Sequence, residues 1–187
     1  PGLLLILGYL WRTAVTDKPD DDVVPGEYAS PPCYAGEFPG YFGEVADPGG
    51  LAADLLRDMA EAVVFADREG VIRAWNPGAE ALFGFSAAES LGRSLDLIIP
   101  EPLRRAHWQG FERALAEGTT RHGRRAMITR ALHAEGRRLY VDMSFAVVRD
   151  CSGRVAGSVA VARDATERYL EERRLRERLA ELEKAPR

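Results

Sequence analysis

The sequence predicts an α+β domain: a five-stranded antiparallel sheet with helices packed on one face, an N-terminal extension before it and a C-terminal coiled-coil helix after it. Three observations carry that reading. Two strand-like stretches are followed by several helical ones and then by three more strands. Strand-to-helix junctions recur at Trp75-Asn76-Pro77-Gly78 and at Arg163-Asp164-Ala165-Thr166. A run rich in Glu and Arg, with leucines at spacings of four and three, closes the chain.

The bulk numbers agree with one globular unit. The chain has 187 residues, of which 46% are hydrophobic and 29% charged, so it suits a single domain of about 100–150 residues plus extensions. A net charge of -4 gives no reason to expect a nucleic-acid-binding body. Arginines nevertheless gather in the middle, including Arg104, Arg113, Arg124, Arg125, Arg130 and Arg138, as a solvated surface or as a surface for an anionic ligand. Cys33 and Cys151 lie far apart and make no metal spacing, and they read as free thiols in a reducing, cytoplasmic setting.

Residues 1–50 read as an extension or linker. Pro1 to Leu10 are almost wholly apolar, but a membrane span needs about 20 such residues. The run also lacks the basic leader and cleavage site of a signal peptide. A buried helix, a surface helix and the tail of a truncated span all remain open, and no membrane span is expected within the chain. Residues 17–50 combine an acidic start with scattered Pro, Gly, Tyr and Phe, as in a linker or a strapped-on arm.

The domain itself is expected over 51–168. Leu51 to Met59 has apolar residues at helical spacing. Ala62–Asp67 and Val71–Trp75 read as strands around the turn Arg68-Glu69-Gly70. Asn76 can cap the next helix, Pro77 suits its first position, and Gly84 can end it in the left-handed conformation. Short helices are expected through Ser90 and near Leu95, then a longer one from about Glu101 to Glu117. Strands follow near 121–132, 138–148 and 154–163, with Asp150-Cys151-Ser152-Gly153 as a hairpin turn. In the middle strand Leu139, Val141, Met143, Phe145 and Val147 share one face, and Arg138, Tyr140, Asp142 and Ser144 the other. From Thr166 to about Lys184, Leu175, Leu179 and Leu182 form a short seam, and residues 169–187 read as a signalling helix that pairs with a second copy or continues into another domain.

With this order of elements, the runs Trp75-Asn76 through Phe83-Gly84-Phe85 and Arg163-Asp164-Ala165-Thr166-Glu167-Arg168 resemble a PAS sensory domain over about residues 52–168. The resemblance implies a sheet that cradles helices and holds a small ligand between the two, or that simply mediates pairing. It also implies that Asp164 and Thr166 couple the sheet to the output helix. Flavin-bearing light sensors of the family carry a reactive cysteine on a middle helix; Gly92-Arg93-Ser94-Leu95-Asp96 has none, which argues against that photocycle.

The run Pro100-Glu101-Pro102-Leu103-Arg104-Arg105-Ala106-His107 resembles the long helix of haem-bearing rhizobial oxygen sensors, where the histidine matching His107 binds iron. Helical spacing puts His107 on one face with Leu103, Phe111 and Leu115 and so turns it toward the core. Two readings stay open: an iron ligand, or a histidine that satisfies backbone groups. The sensors' oxygen-gating arginine aligns without gaps to Met127, which would pack over the iron or ligate it; Arg124, Arg125 or Arg130 would serve only after a register slip. Met143 and Phe145 match apolar positions on the ligand side. His122 and His133 read as surface residues, Trp75 and Trp108 as packing.

Two functions are therefore expected to compete. One is a signal-input module that binds a small ligand or cofactor, with haem through His107 as its most specific form, and relays the change through the last helix to an output domain or kinase. The other is a ligand-free dimerisation domain, a homodimer formed through the sheet surface and the last helix. No nucleophile-base set or phosphate loop stands out, so the chain is not expected to be an enzyme.

Overall fold

The computed structural model describes residues 48–121, 125–150 and 152–184. Expectations for residues 1–47, His122, Arg124 and both cysteines lie outside the described residues. The elements are α1 (Pro48–Asp58), β1 (Ala62–Asp67), β2 (Ile72–Trp75), α2 (Pro77–Phe83), α3 (Ala87–Ser90), a 3-10 turn (Leu95–Leu97), α4 (Glu101–Glu117), β3 (Met127–Leu132), β4 (Arg138–Arg149), β5 (Val155–Asp164) and α5 (Thr166–Lys184).

The five strands pair antiparallel in the order β2-β1-β5-β4-β3. The last strand in sequence is thus the central one in space, and α5 departs from the middle of the sheet. Phe83, Ile72, Leu139 and Val141 are fully buried between sheet and helices, each contributing about 1.5–3 kcal/mol by leaving water. In β4 the predicted alternation holds through Leu139, Val141 and Met143, which are buried, with Tyr140, Asp142 and Ser144 between them half-buried. Beyond Met143 it weakens: Phe145 is only half-buried.

β3 is shorter than the 121–132 expected from sequence. It begins at Met127, opposite Met143, and residues 125–126 lie outside the strand. Beyond Met143 the β4 strand continues with β5 as its partner, so the edge strand ends while the central pair runs on.

Asn76 does more than cap. Its Oδ1 accepts from Ala79 N at 2.9 Å and also from Val63 N at 2.7 Å. Its Nδ2 donates to Leu56 O at 3.0 Å and Glu61 O at 2.9 Å. One buried amide therefore ties together the end of α1, the start of β1 and the start of α2. Pro77 occupies the first turn of α2, and Gly84, at φ 77°, ends the helix as predicted, its N–H donating to Glu80 O. Ser86 and Glu89 form a reciprocal capping box on α3. In the β4–β5 turn, Asp150 accepts from Ser152 Oγ at 2.6 Å and from Arg154 N at 3.0 Å. The Ser152 hydroxyl, foremost among these donors, holds the Asp150 pKa down at about 2.

Among the described residues no helix is long and apolar enough to cross a membrane.

Candidate functional site

Residues Leu103, His107 and Phe111 recur every four positions along α4, so they stand on one face and look toward the sheet. That face forms one wall of a cavity of about 110 Å³. Met143, Phe145 and Ala160 supply the sheet side, and Leu95, Ile98 and Thr129 close the rim. Five of the residues singled out from sequence, Leu103, His107, Phe111, Met143 and Phe145, are brought together here.

Met127 is not. It opens β3 opposite Met143, is 38% exposed and does not line the cavity. The pleat turns Met127, Thr129 and Ala131 to the same face as Met143, Val141 and Leu139, but the cavity ends at Thr129, one step short of Met127. The expectation that Met127 packs at the ligand is corrected accordingly. Arg130 borders the cavity from the outward register position opposite Tyr140. His133 accepts at Nδ1 from Glu135 N in its own turn, against Gly84, and takes no part in the cavity.

The orientation of α4 rests on an arrangement that helical spacing alone did not reveal. Trp108 Nε1 donates to Asp96 Oδ1 at 2.9 Å. The indole lies over the β1–β2 turn, where a Cβ on Gly70 would collide with it, and Gly70 itself holds φ +75°. Arg104 donates from Nη2 to Asp96 O at 3.0 Å and from Nε to Ile99 O at 3.2 Å. The 3-10 turn and α4 are thereby clasped together, and His107 is set between Trp108 and Phe111. Its ring is nearly perpendicular to Trp108, with centroids 5.2 Å apart, and stacks at 6.0 Å on Phe111.

His107 Nδ1 is shut off from solvent and has no hydrogen-bond partner. Burial pulls the imidazole pKa below the usual histidine value, and the Asp96 carboxylate opposes that only in part. A neutral imidazole with a free buried nitrogen suits a metal donor or a hydrogen-bonding contact. Haem is a different matter. An engineered cavity of about 150 Å³ takes a single benzene ring, so a space of about 110 Å³ does not hold a macrocycle several times that size. The donor chemistry fits haem and the cavity does not. Among the described residues no group of three or more His, Cys, Asp and Glu is placed to hold a metal ion.

The second predicted site is the β5–α5 junction. Asp164 Oδ1 accepts from Thr166 N at 2.7 Å. Thr166 Oγ1 accepts from Tyr140 N at 3.0 Å and donates to Tyr140 O at 3.3 Å. Ala165 N donates to the same carbonyl at 2.8 Å. Sequence reasoning placed Asp164 and Thr166 but missed Tyr140, because the partner lies 26 positions away. It also missed Tyr169, which stacks on Tyr140, and the ion pair of Arg168 with Asp142 at 3.0 Å. The only local signal for these was the outward register of Tyr140 and Asp142.

A sheet that cradles helices over a small cavity, with a helix leaving its central strand, defines the class of α+β sensory domains. The chain belongs to the PAS fold family, which matches residues 56–170. An uncharacterised protein of Azorhizobium caulinodans is 31% identical over 179 residues, 86% of this chain and 24% of its own length. The sensor protein FixL of Bradyrhizobium diazoefficiens is 34% identical over 53 residues, 28% of this chain and 10% of FixL. The chain thus spans a quarter or less of these two relatives. Among solved structures, an RNA-binding light-oxygen-voltage receptor superposes with a TM-score of 0.61 at 26% identity, covering 79% of this chain and 41% of the receptor.

Proposed function

We propose that this PAS domain is a non-enzymatic signal-input module of the cytoplasm, in which a small ligand occupies the cavity beside His107 and the change leaves through α5. The observation that carries the reading is a mostly apolar cavity between α4 and the sheet, with His107 among its lining residues. β4 lies between cavity and output: Met143 faces the ligand space, while Tyr140 and Asp142 hold the first turn of α5. A ligand that binds one packing of this strand better than another biases α5 by that difference in affinity and by no more. Asp164 and Thr166 are the coupling residues, and an output domain or kinase in a longer protein is the recipient.

Haem through His107 is the narrower form of this reading, supported by the likeness of α4 to the helix of haem-bearing oxygen sensors and by the buried imidazole, and opposed by the cavity volume. Adding haemin to the protein separates the two. We expect the same absorption spectrum from wild type and His107→Ala; a Soret band that depends on His107 would restore haem. For the broader reading, thermal melting is followed against a panel of small uncharged compounds. Some raise the melting temperature of the wild type and not of a cavity-filled Ala160→Leu variant. A panel without any such difference overturns it.

Pairing of two copies is a second reading that one observation favours: Leu175, Leu179 and Leu182 on α5 are 59%, 57% and 68% exposed. Leucines so exposed at coiled-coil spacing suit a homodimer seam, and pairing is compatible with ligand input.

A further inference from the structure

We infer that α5 pairs with a second copy of this chain lying parallel and in register, and that the charges flanking its leucines select that partner and that orientation. This rests on the pairing reading above and adds an orientation, a register and the residues that fix them.

The leucines give the frame. With Leu175 and Leu182 as d positions and Leu179 as the a between them, the preceding a is Glu172 and the preceding d is Arg168. Arg168 is tied to Asp142 of its own sheet at 3.0 Å, and Tyr169 stacks on Tyr140. The root of α5 is thus held by its own domain, and the exposed leucines of the seam begin at Leu175.

The flanks carry the choice. In this frame Glu171 and Arg178 are g positions, and Arg176 and Glu183 are e positions. In a parallel pair in register, each g residue faces the next e residue of the other helix. Arg178 then meets Glu183 of the partner subunit, and Glu171 meets Arg176 of the partner subunit. Both contacts join opposite charges, and symmetry makes each of them twice. Within one chain the ion pairs of α5 are Arg173 with Glu177, Arg174 with Glu171 and Arg176 with Glu172. Among the described residues Arg178 and Glu183 enter none of them, and the turn before Glu183 offers it only Leu179 and Ala180. The single helix leaves these two charges unanswered; a parallel second copy answers both.

Antiparallel pairing does not. Setting Leu175 against Leu179 of the partner subunit brings Arg176 to Arg176 of the partner subunit and Arg178 to Arg178 of the partner subunit, like charges on both flanks. Setting Leu179 against Leu182 of the partner subunit leaves Leu175 facing a position beyond Lys184, where α5 ends. The parallel register alone stacks all three leucine layers with opposite charges beside them. Glu172 limits its strength, because in this register it stands at an a position against Glu172 of the partner subunit. The pair is therefore weak and concentration-dependent.

Sedimentation equilibrium on the full chain tests this. Arg178→Glu and Glu183→Arg should each weaken pairing about tenfold. An equimolar mixture of the two variants should recover wild-type strength, since opposite charges then meet on both flanks. Glu172→Leu should strengthen pairing at least about tenfold. Orientation has its own readout: on a Cys33→Ser, Cys151→Ser background, Glu172→Cys should give a disulfide-linked dimer on mild oxidation. Either antiparallel alignment holds those two positions about 15 Å or more apart along the helix axis. Single variants that pair like wild type, a mixture as weak as its parts, an inert Glu172→Leu or a missing cross-link overturns the parallel register and leaves the pairing reading in place. A chain that stays monomeric, in wild type and in Glu172→Leu alike, overturns both.

Discussion

The ring of Tyr140 on β4 stacks on that of Tyr169 on α5, with centroids 4.0 Å apart and planes inclined by 22°. The backbone N–H and C=O of the same Tyr140 both bond to the Thr166 hydroxyl. On either side of it in the strand, Leu139 and Val141 are fully buried in the core. The pleat therefore gives β4 a core side and a helix side within adjacent residues.

Tyr169→Ala should loosen the root of α5 without disturbing the cavity. The stacked pair is worth about 1 kcal/mol beyond its buried area. Hydrogen exchange should quicken at the amides of residues 166–172, with the amides of β1 and β2 unchanged. Uniform exchange along the helix in both proteins would remove Tyr169 from the coupling.

Asn76→Ala should be among the most damaging single changes. It leaves Val63 N, Leu56 O and Glu61 O without the partners that Asn76 supplies. Val63 N is buried and the two carbonyls part-buried; a buried group left unpaired costs about 1–3 kcal/mol, so urea denaturation should report a loss of at least about 1 kcal/mol. Asn76→Asp, which keeps the acceptor for Val63 and Ala79 and loses the donors, should fall between alanine and wild type.

Ser90 presents the opposite case. Its hydroxyl is fully buried and unpartnered. Ser90→Ala removes a desolvated polar atom and should leave stability unchanged or raise it by up to about 1 kcal/mol. A clear loss in thermal melting would point to a hydroxyl partner of functional weight.

Acidification should weaken the domain through His107. Its folded pKa lies below the ordinary value of 6.5, so below that pH the unfolded chain takes up a proton that the folded one refuses. Stability falls as the pH drops from 6.5 toward the folded pKa, and above 6.5 both states are neutral and the effect vanishes. Urea midpoints at pH values of about 7.5, 6.5 and 5.5 should decline more steeply for wild type than for His107→Leu; parallel slopes would show that other groups dominate.

Replacing Leu175 and Leu179 by Glu should convert a dimer into a monomer. Both are more than half exposed, at 59% and 57%, so the change costs the single chain little. Light scattering after size exclusion reports the mass directly. A dimer mass that survives both this change and deletion of residues 169–187 would move the interface to the sheet.

Much of the fold was legible because its cues are short-range. Asn76-Pro77 and Gly84 bound α2 through capping and the left-handed backbone, which depend on adjacent residues. The alternation in β4 needs only period two to assign faces. The spacing of Leu103, His107 and Phe111 on one helix was enough to send the histidine inward.

What lay beyond reach depends on pairings between distant residues. β3 pairs with β4 only from Met127, opposite Met143, while β4 runs on beside β5, and Met127 lies outside the cavity lining. Tyr140 meets Thr166 only after β5 is inserted between β1 and β4. The size of the space beside His107 is set by how far apart helix and sheet settle, a sum of many contacts across the chain that no local pattern encodes. The residue sequence thus assigned the family, the faces and the inward histidine; packing in three dimensions determined the volume of the space beside it.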